Sequence, residues 1–141
     1  MPLDYEIDHD RKVVIARGRG VLGEDDFFGY QKDVWSRDEV RGYDELVDMR
    51  AVDEVILPTA DRLRALASLS ADMDLKRGTI EGATTKLAVI APQDFAYGLG
   101  RMYEAYRSFQ PSSTKEVAVF RTAPEAIAFL GLHGVILDPV R

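Results

Sequence analysis

The chain has 141 residues, 46% hydrophobic and 30% charged, with a formal net charge of −6 and no cysteine. That length is one ordinary domain, and zero cysteines exclude a disulfide scaffold, a thiol nucleophile, an iron–sulfur cluster and any Cys-based zinc site. The acidic excess argues against a nucleic-acid partner, no apolar run approaches the ~20 residues of a membrane-spanning helix, and Met1-Pro2-Leu3-Asp4-Tyr5-Glu6 is too polar for a signal peptide.

Leu3, Tyr5 and Ile7 alternate with Asp4, Glu6 and Asp8, the period-two pattern of a half-buried strand. His9-Asp10-Arg11 turns into a second strand, Val13–Arg17, and the two read as an antiparallel hairpin. Beyond Gly18, Gly20 and Gly23, the triplet Glu24-Asp25-Asp26 sits where a helix N-terminus stabilises negative charge. The spacings Phe27/Val34 and Phe28/Trp35 predict an amphipathic helix over about 24–37. Glu45–Met49 is a third strand. Thr59 is placed to cap a helix over about 60–73 with the stripe Leu63, Leu66, Ala67 and Met73. The polar stretch 76–82 reads as a mobile loop.

Residues 86–91 are nearly continuously apolar, as in a central strand covered on both faces. From Pro92 and Asp94 a helix carries Phe95, Leu99, Met102, Tyr106 and Phe109 at spacings of four, three, four and three, which reads as its core face. Glu116–Phe120 is a fifth strand. Thr122-Ala123-Pro124-Glu125 reads as a capping box for a last helix that ends at Gly131. The domain is expected over 1–131, and the tail 132–141 is apolar enough to dock on it or on a second subunit, as in a homodimer. The order ββαβαβαβα makes an α/β fold with a mainly parallel five-stranded sheet, an antiparallel N-terminal hairpin and four helices.

This order and several local strings resemble the SpoIIAA-like branch of the STAS superfamily, whose founding members are bacterial anti-sigma-factor antagonists. The resemblance spans about residues 3–131. It rests on the hairpin, on Glu24-Asp25-Asp26-Phe27, on Asp48-Met49-Arg50-Ala51-Val52 and, most specifically, on the run from Pro92 to Tyr103. It implies a non-enzymatic regulatory or interaction module with a protein partner. In the antagonists a strand ending Asp-Leu-Ser is followed by Asp-Ser-Ser-Gly, whose phosphorylatable serine opens the next helix. Asp48-Met49-Arg50 matches the first string in part, and Leu57-Pro58-Thr59-Ala60 falls at the second, which places Thr59 at the switch position. A phosphate there would meet exposed backbone N–H groups; as a plain N-cap the same threonine is worth ~1 kcal/mol. The fold is also similar to that of CRAL-TRIO lipid carriers, which implies an alternative: a small carrier of an apolar or amphipathic, lipid-like anionic ligand.

Gly98-Leu99-Gly100-Arg101-Met102-Tyr103 is no dinucleotide fingerprint, because Tyr103 takes the third glycine position and the run lies inside a helix. Two glycines in a helix interior cost ~1 kcal/mol each relative to Ala. Close approach of a neighbouring element, or room for a ligand, would offset that. Tyr97 and Arg101 share one face of this helix and Tyr103 and Arg107 another. Aromatic bodies with a guanidinium can line a pocket for an apolar molecule with an anionic head, so Tyr97, Arg101 and Tyr103 are candidate ligand contacts, beneath the 76–82 loop. His9 and His133 have no obvious nucleophile or metal partner, and neither a nucleophile elbow, a phosphate-binding loop nor an HExxH helix is present. No catalytic residue, metal site or cofactor is expected, and a cytoplasmic location is. The charge is uneven: residues 1–54 hold 15 acids and 8 bases, a net of −7, against +1 for the remainder. Such a distribution can orient an encounter with a partner or an anion.

Overall fold

Five strands form one sheet in the order β1-β2-β3-β4-β5: β1 (Leu3–Asp8), β2 (Val13–Leu22), β3 (Asp44–Val55), β4 (Thr85–Ile90) and β5 (Lys115–Phe120). β1 and β2 pair antiparallel, and the other three neighbouring pairs are parallel. Between and after them lie α1 (Glu24–Val34), α2 (Ala60–Lys76), α3 (Asp94–Ser108) and α4 (Ala123–Phe129), with a 3-10 turn at Asp38–Val40. These are the fold class and the element order expected from the sequence. The structure, a computed structural model, describes residues 2–56, 59–76, 84–110, 115–132 and 137. Most of the 76–82 loop, His133 and nearly all of the apolar tail therefore lie outside the described residues. No described helix is long and apolar enough to cross a membrane.

Parallel strands that are neighbours in sequence order need crossovers of one hand, which brings α1, α2 and α3 to the same face of the sheet. There Val14, Ala16, Met49, Leu87 and Val89 form the larger core with Tyr30, Val34 and Trp35 from the α1 region and Ala96 from α3. On the opposite face Val13, Ile15, Leu46, Ala88 and Ile90 meet Ala126 and Leu130 around α4, and Leu132 and Leu137 of the tail join them. Beyond α4 that face is charged. Asp4 pairs with Arg19, Glu6 with Arg17 at 3.3 Å, and Asp8 with Arg11 at 3.1 Å. Much of the acidity of the first third is thus answered by neighbouring arginines.

The second and third strands run longer than their sequence pattern suggests. β2 continues past Arg17 because the ladder to β3 shifts register between Arg17 and Arg19 and again between Gly20 and Val21. Both glycines are needed there. A Cβ on Gly18 would lie 2.8 Å from a Val52 methyl, and Gly20 holds φ at +66°. A bulge with glycines bends the ribbon without ending it.

The long helix α3 turns inward only part of the face its apolar spacing suggests, Leu99 and Tyr106 of the five residues being half-buried. Ala96 and Arg107 are buried and Leu99 and Tyr103 half-buried, whereas Phe95, Met102 and Phe109 are 44%, 45% and 79% exposed. Small residues decide the rotation. At Gly100 an added Cβ would stand 3.1 Å from both methyls of Val119, so the helix rests its backbone on β5. Gly98 points into open space. Gly98→Ala should therefore raise stability by about 1 kcal/mol through helix propensity alone, while Gly100→Ala should not share the gain. Urea midpoints of the two variants measure this; equal gains would mean that Gly100 is not a contact point.

Candidate functional site

Between the helical face of the sheet and α1–α3 lies a cavity of about 100 Å³. Its sheet side is Leu3, Val47, Met49, Leu87 and Val89; its helix side includes Phe27, Phe28, Leu63, Leu66, Ala96 and Leu99. Alternation along β3 sends Glu45, Val47 and Met49 to this face. Glu45 and Met49 are buried, but Val47 between them is only half-buried, although it sits on the middle strand with Ala16 and Val89 beside it. A central-strand residue keeps that access only if the helices above it do not close.

At the Glu45 side of the cavity the walls become polar and hydrogen-bonded to one another. Tyr30 donates its hydroxyl proton to Glu45 Oε2 at 2.6 Å and accepts from Trp35 Nε1 at 3.1 Å. Lys115 Nζ donates to Glu45 Oε1 at 3.0 Å and lies 3.3 Å from the centre of the Trp35 ring. The carboxylate and ammonium side chains are 2% and 4% exposed. Next to them Arg107 Nη1 donates to the Tyr103 hydroxyl at 2.9 Å, the i,i+4 pair set by α3. Burial pushes the Tyr30 hydroxyl well above the ordinary tyrosine range, reinforced by the Glu45 charge. Burial also raises Tyr103, against the opposing pull of Arg107.

Those two shifts fix a pH response. In the unfolded chain the Tyr30 and Tyr103 hydroxyls lose their protons near pH 10 while the native state holds these two to higher pH, so their contribution to stability is intact below about pH 10 and falls as pH rises beyond it. Tyr103→Phe should shallow that fall, as read from urea midpoints between about pH 8 and about pH 11. An identical slope in both proteins would remove the tyrosine from this role.

The residues singled out in the sequence are not brought together. Tyr103 lines the cavity. Arg101 does not line it; its side chain is exposed and paired with Glu104 at 3.3 Å. Tyr97 lies under Arg121, whose guanidinium is 4.1 Å from the ring centre and also bonds Asp94 and the Pro92 carbonyl. Thr59 is exposed at the start of α2, where its hydroxyl accepts from the Arg62 N–H at 3.3 Å and its carbonyl from the Leu63 N–H at 3.0 Å. Leu57 and Pro58 of the same string lie outside the described residues. The capping box at α4 takes another form, with the Thr122 hydroxyl 2.7 Å from the Glu125 carboxylate and no side-chain bond to the backbone.

Other conspicuous polar residues have structural partners. His9 Nδ1 is 2.7 Å from the Tyr43 hydroxyl. Asp48 accepts from Arg50 Nε and Nη2 at 2.9 and 2.8 Å. Gln93 holds the bent end of β3, its amide donating to the Met49 and Val52 carbonyls at 2.9 and 2.8 Å. Among the described residues no cluster of His, Asp or Glu could hold a metal ion. Glu45, Lys115, Val47 and Arg62 carry no motif. The one available signal was parity, since Glu45 stands in phase with Val47 and Met49 on a strand whose other inward positions are apolar.

No family model and no curated protein matches this sequence. Among solved structures, the chain is similar to an uncharacterized protein of the DUF3478 family with a SpoIIAA-like fold from Shewanella loihica PV-4. The identity is 17%, the TM-score is 0.49, and the match covers 91% of this chain and 93% of that one.

Proposed function

We propose that this domain is a non-enzymatic binding module that takes the apolar body of a small molecule into the cavity between the sheet and α1–α3. The observation that carries the reading is Val47, a central-strand residue left accessible beneath walls of Phe27, Phe28, Leu63 and Leu66. Apolar cavities of ~150 Å³ stay dry and take up benzene. At about 100 Å³ the present one suits a single ring or a short branched chain better than a whole acyl lipid. The carbon lining provides the driving force, and the paired charges of Glu45 and Lys115 leave no unmet charge for the ligand to answer.

Toluene, indole and fluorobenzene titrated against the purified protein, with melting temperature as readout, test the reading. A molecule held at a hundred times its Kd adds ~2.7 kcal/mol, which is several degrees for a domain of this size. No saturable shift with any of the three would end it. A second reading, the regulatory module implied by the family resemblance, is favoured by the exposure of Thr59 at the α2 start. It requires a protein partner whose capture weakens for Thr59→Glu. Indifference both to that change and to charge reversal at Asp25 and Asp26 would dispose of it.

A further inference from the structure

Besides the buried Glu45 side, the cavity has an edge where solvent-exposed charge meets the apolar wall. Phe28, on α1, and Arg62, in the first turn of α2, both line it, and the Arg62 guanidinium lies 4.7 Å from the centre of the Phe28 ring. From there Arg62 Nε donates to Glu24 Oε2 at 3.3 Å, at the opposite helix start, and Glu24 also lines the cavity. The two charged side chains are 49% and 38% exposed, so this edge faces water, whereas Glu45 and Tyr30 lie buried. Arg62 is in addition the only cationic side chain among the described cavity-lining residues.

We propose that Arg62 is the gate of the cavity: an apolar ligand passes between α1 and α2 when the guanidinium lifts from Phe28 and releases Glu24, and is retained when both contacts re-form. The inference rests on the binding reading above. Three features of the edge suit a gate. The backbone of Arg62 is held in place by Thr59, so only the side chain has to move. An exposed ion pair is weak and screened by salt, so it opens readily. A guanidinium on an aromatic face covers carbon on one side and keeps its other donors toward water, so the closed edge is apolar inside and polar outside.

Exchange of fluorobenzene followed by 19F NMR on the full chain tests this. Arg62→Ala and Glu24→Gln should each speed both association and dissociation, by about five- to tenfold for the alanine variant, with Kd moving much less than the rates. Salt at about 1 M should speed exchange in the parent protein and leave Arg62→Ala unaffected. Binding with the same exchange rates in all three proteins overturns the gate while the cavity reading stands. No binding by the parent protein overturns both.

Discussion

Replacing Lys115 with Met should cost the domain about 3–5 kcal/mol, because it strands a carboxylate in the core. Glu45 would keep the Tyr30 hydroxyl and lose the ammonium that balances its charge. The methionine fills similar volume against Trp35, so the loss reports electrostatics and not a hole. For the same reason Glu45→Gln added to Lys115→Met should recover most of the stability, since two neutral partners no longer need each other. Urea unfolding of the parent, the single and the double variant measures all three. A single variant within about 1 kcal/mol of the parent would show that the pair is solvated and contributes as a surface pair would. The network spans the larger core, linking α1, the turn after it, β3 and β5, and its loss should loosen the cavity walls together.

Val47→Phe should abolish uptake of fluorobenzene while holding or raising stability. The valine faces the cavity from the centre of β3, and a phenyl ring there occupies the space that a ring-sized ligand would take. Filling an existing void commonly adds ~0.5–2 kcal/mol, whereas forcing a ring into a filled core typically costs ~1–3 kcal/mol. The sign of the stability change therefore separates a real cavity from tight packing, independently of any ligand. A variant that still binds with unchanged affinity would place the ligand elsewhere. One that unfolds early would mean that the helices already close over Val47.

Local pattern carried the fold a long way. The alternation in Leu3–Asp8, the apolar run at 86–91 and the heptad spacings at Phe27 and Phe28 each depend on the chain's own period. The element order then follows, and with it the side of the sheet on which three helices must lie. Where the pattern misled, a contact between distant segments was responsible. β2 did not stop at its glycines, because β3 offered a ladder to continue along and a Val52 methyl left no room for a Cβ at Gly18. The α3 helix has apolar residues on two faces, and its amino-acid spacing favoured Phe95, Leu99, Met102, Tyr106 and Phe109, of which only Leu99 and Tyr106 are half-buried. Gly100 resting on Val119 turned the other face inward, and with it took Arg101 away from the cavity and brought Tyr103 to it.

The candidate site was hardly legible beforehand for the same reason. Glu45 and Lys115 are 70 residues apart, Glu24 and Arg62 are 38 apart, and none of them stands in a spacing that one helix or strand would impose. The sequence by itself determined what depends on short-range periodicity and composition: the α/β class, the hairpin, the absence of thiol chemistry and the acidic first third. Only the tertiary structure decided which acids are answered by arginines, which glycine is a contact and which is open, and that the helices stop short of sealing the sheet over Val47. Burial, pairing and void space are properties of segments meeting, and the −6 of the whole chain says nothing of where two of its charges are locked together inside.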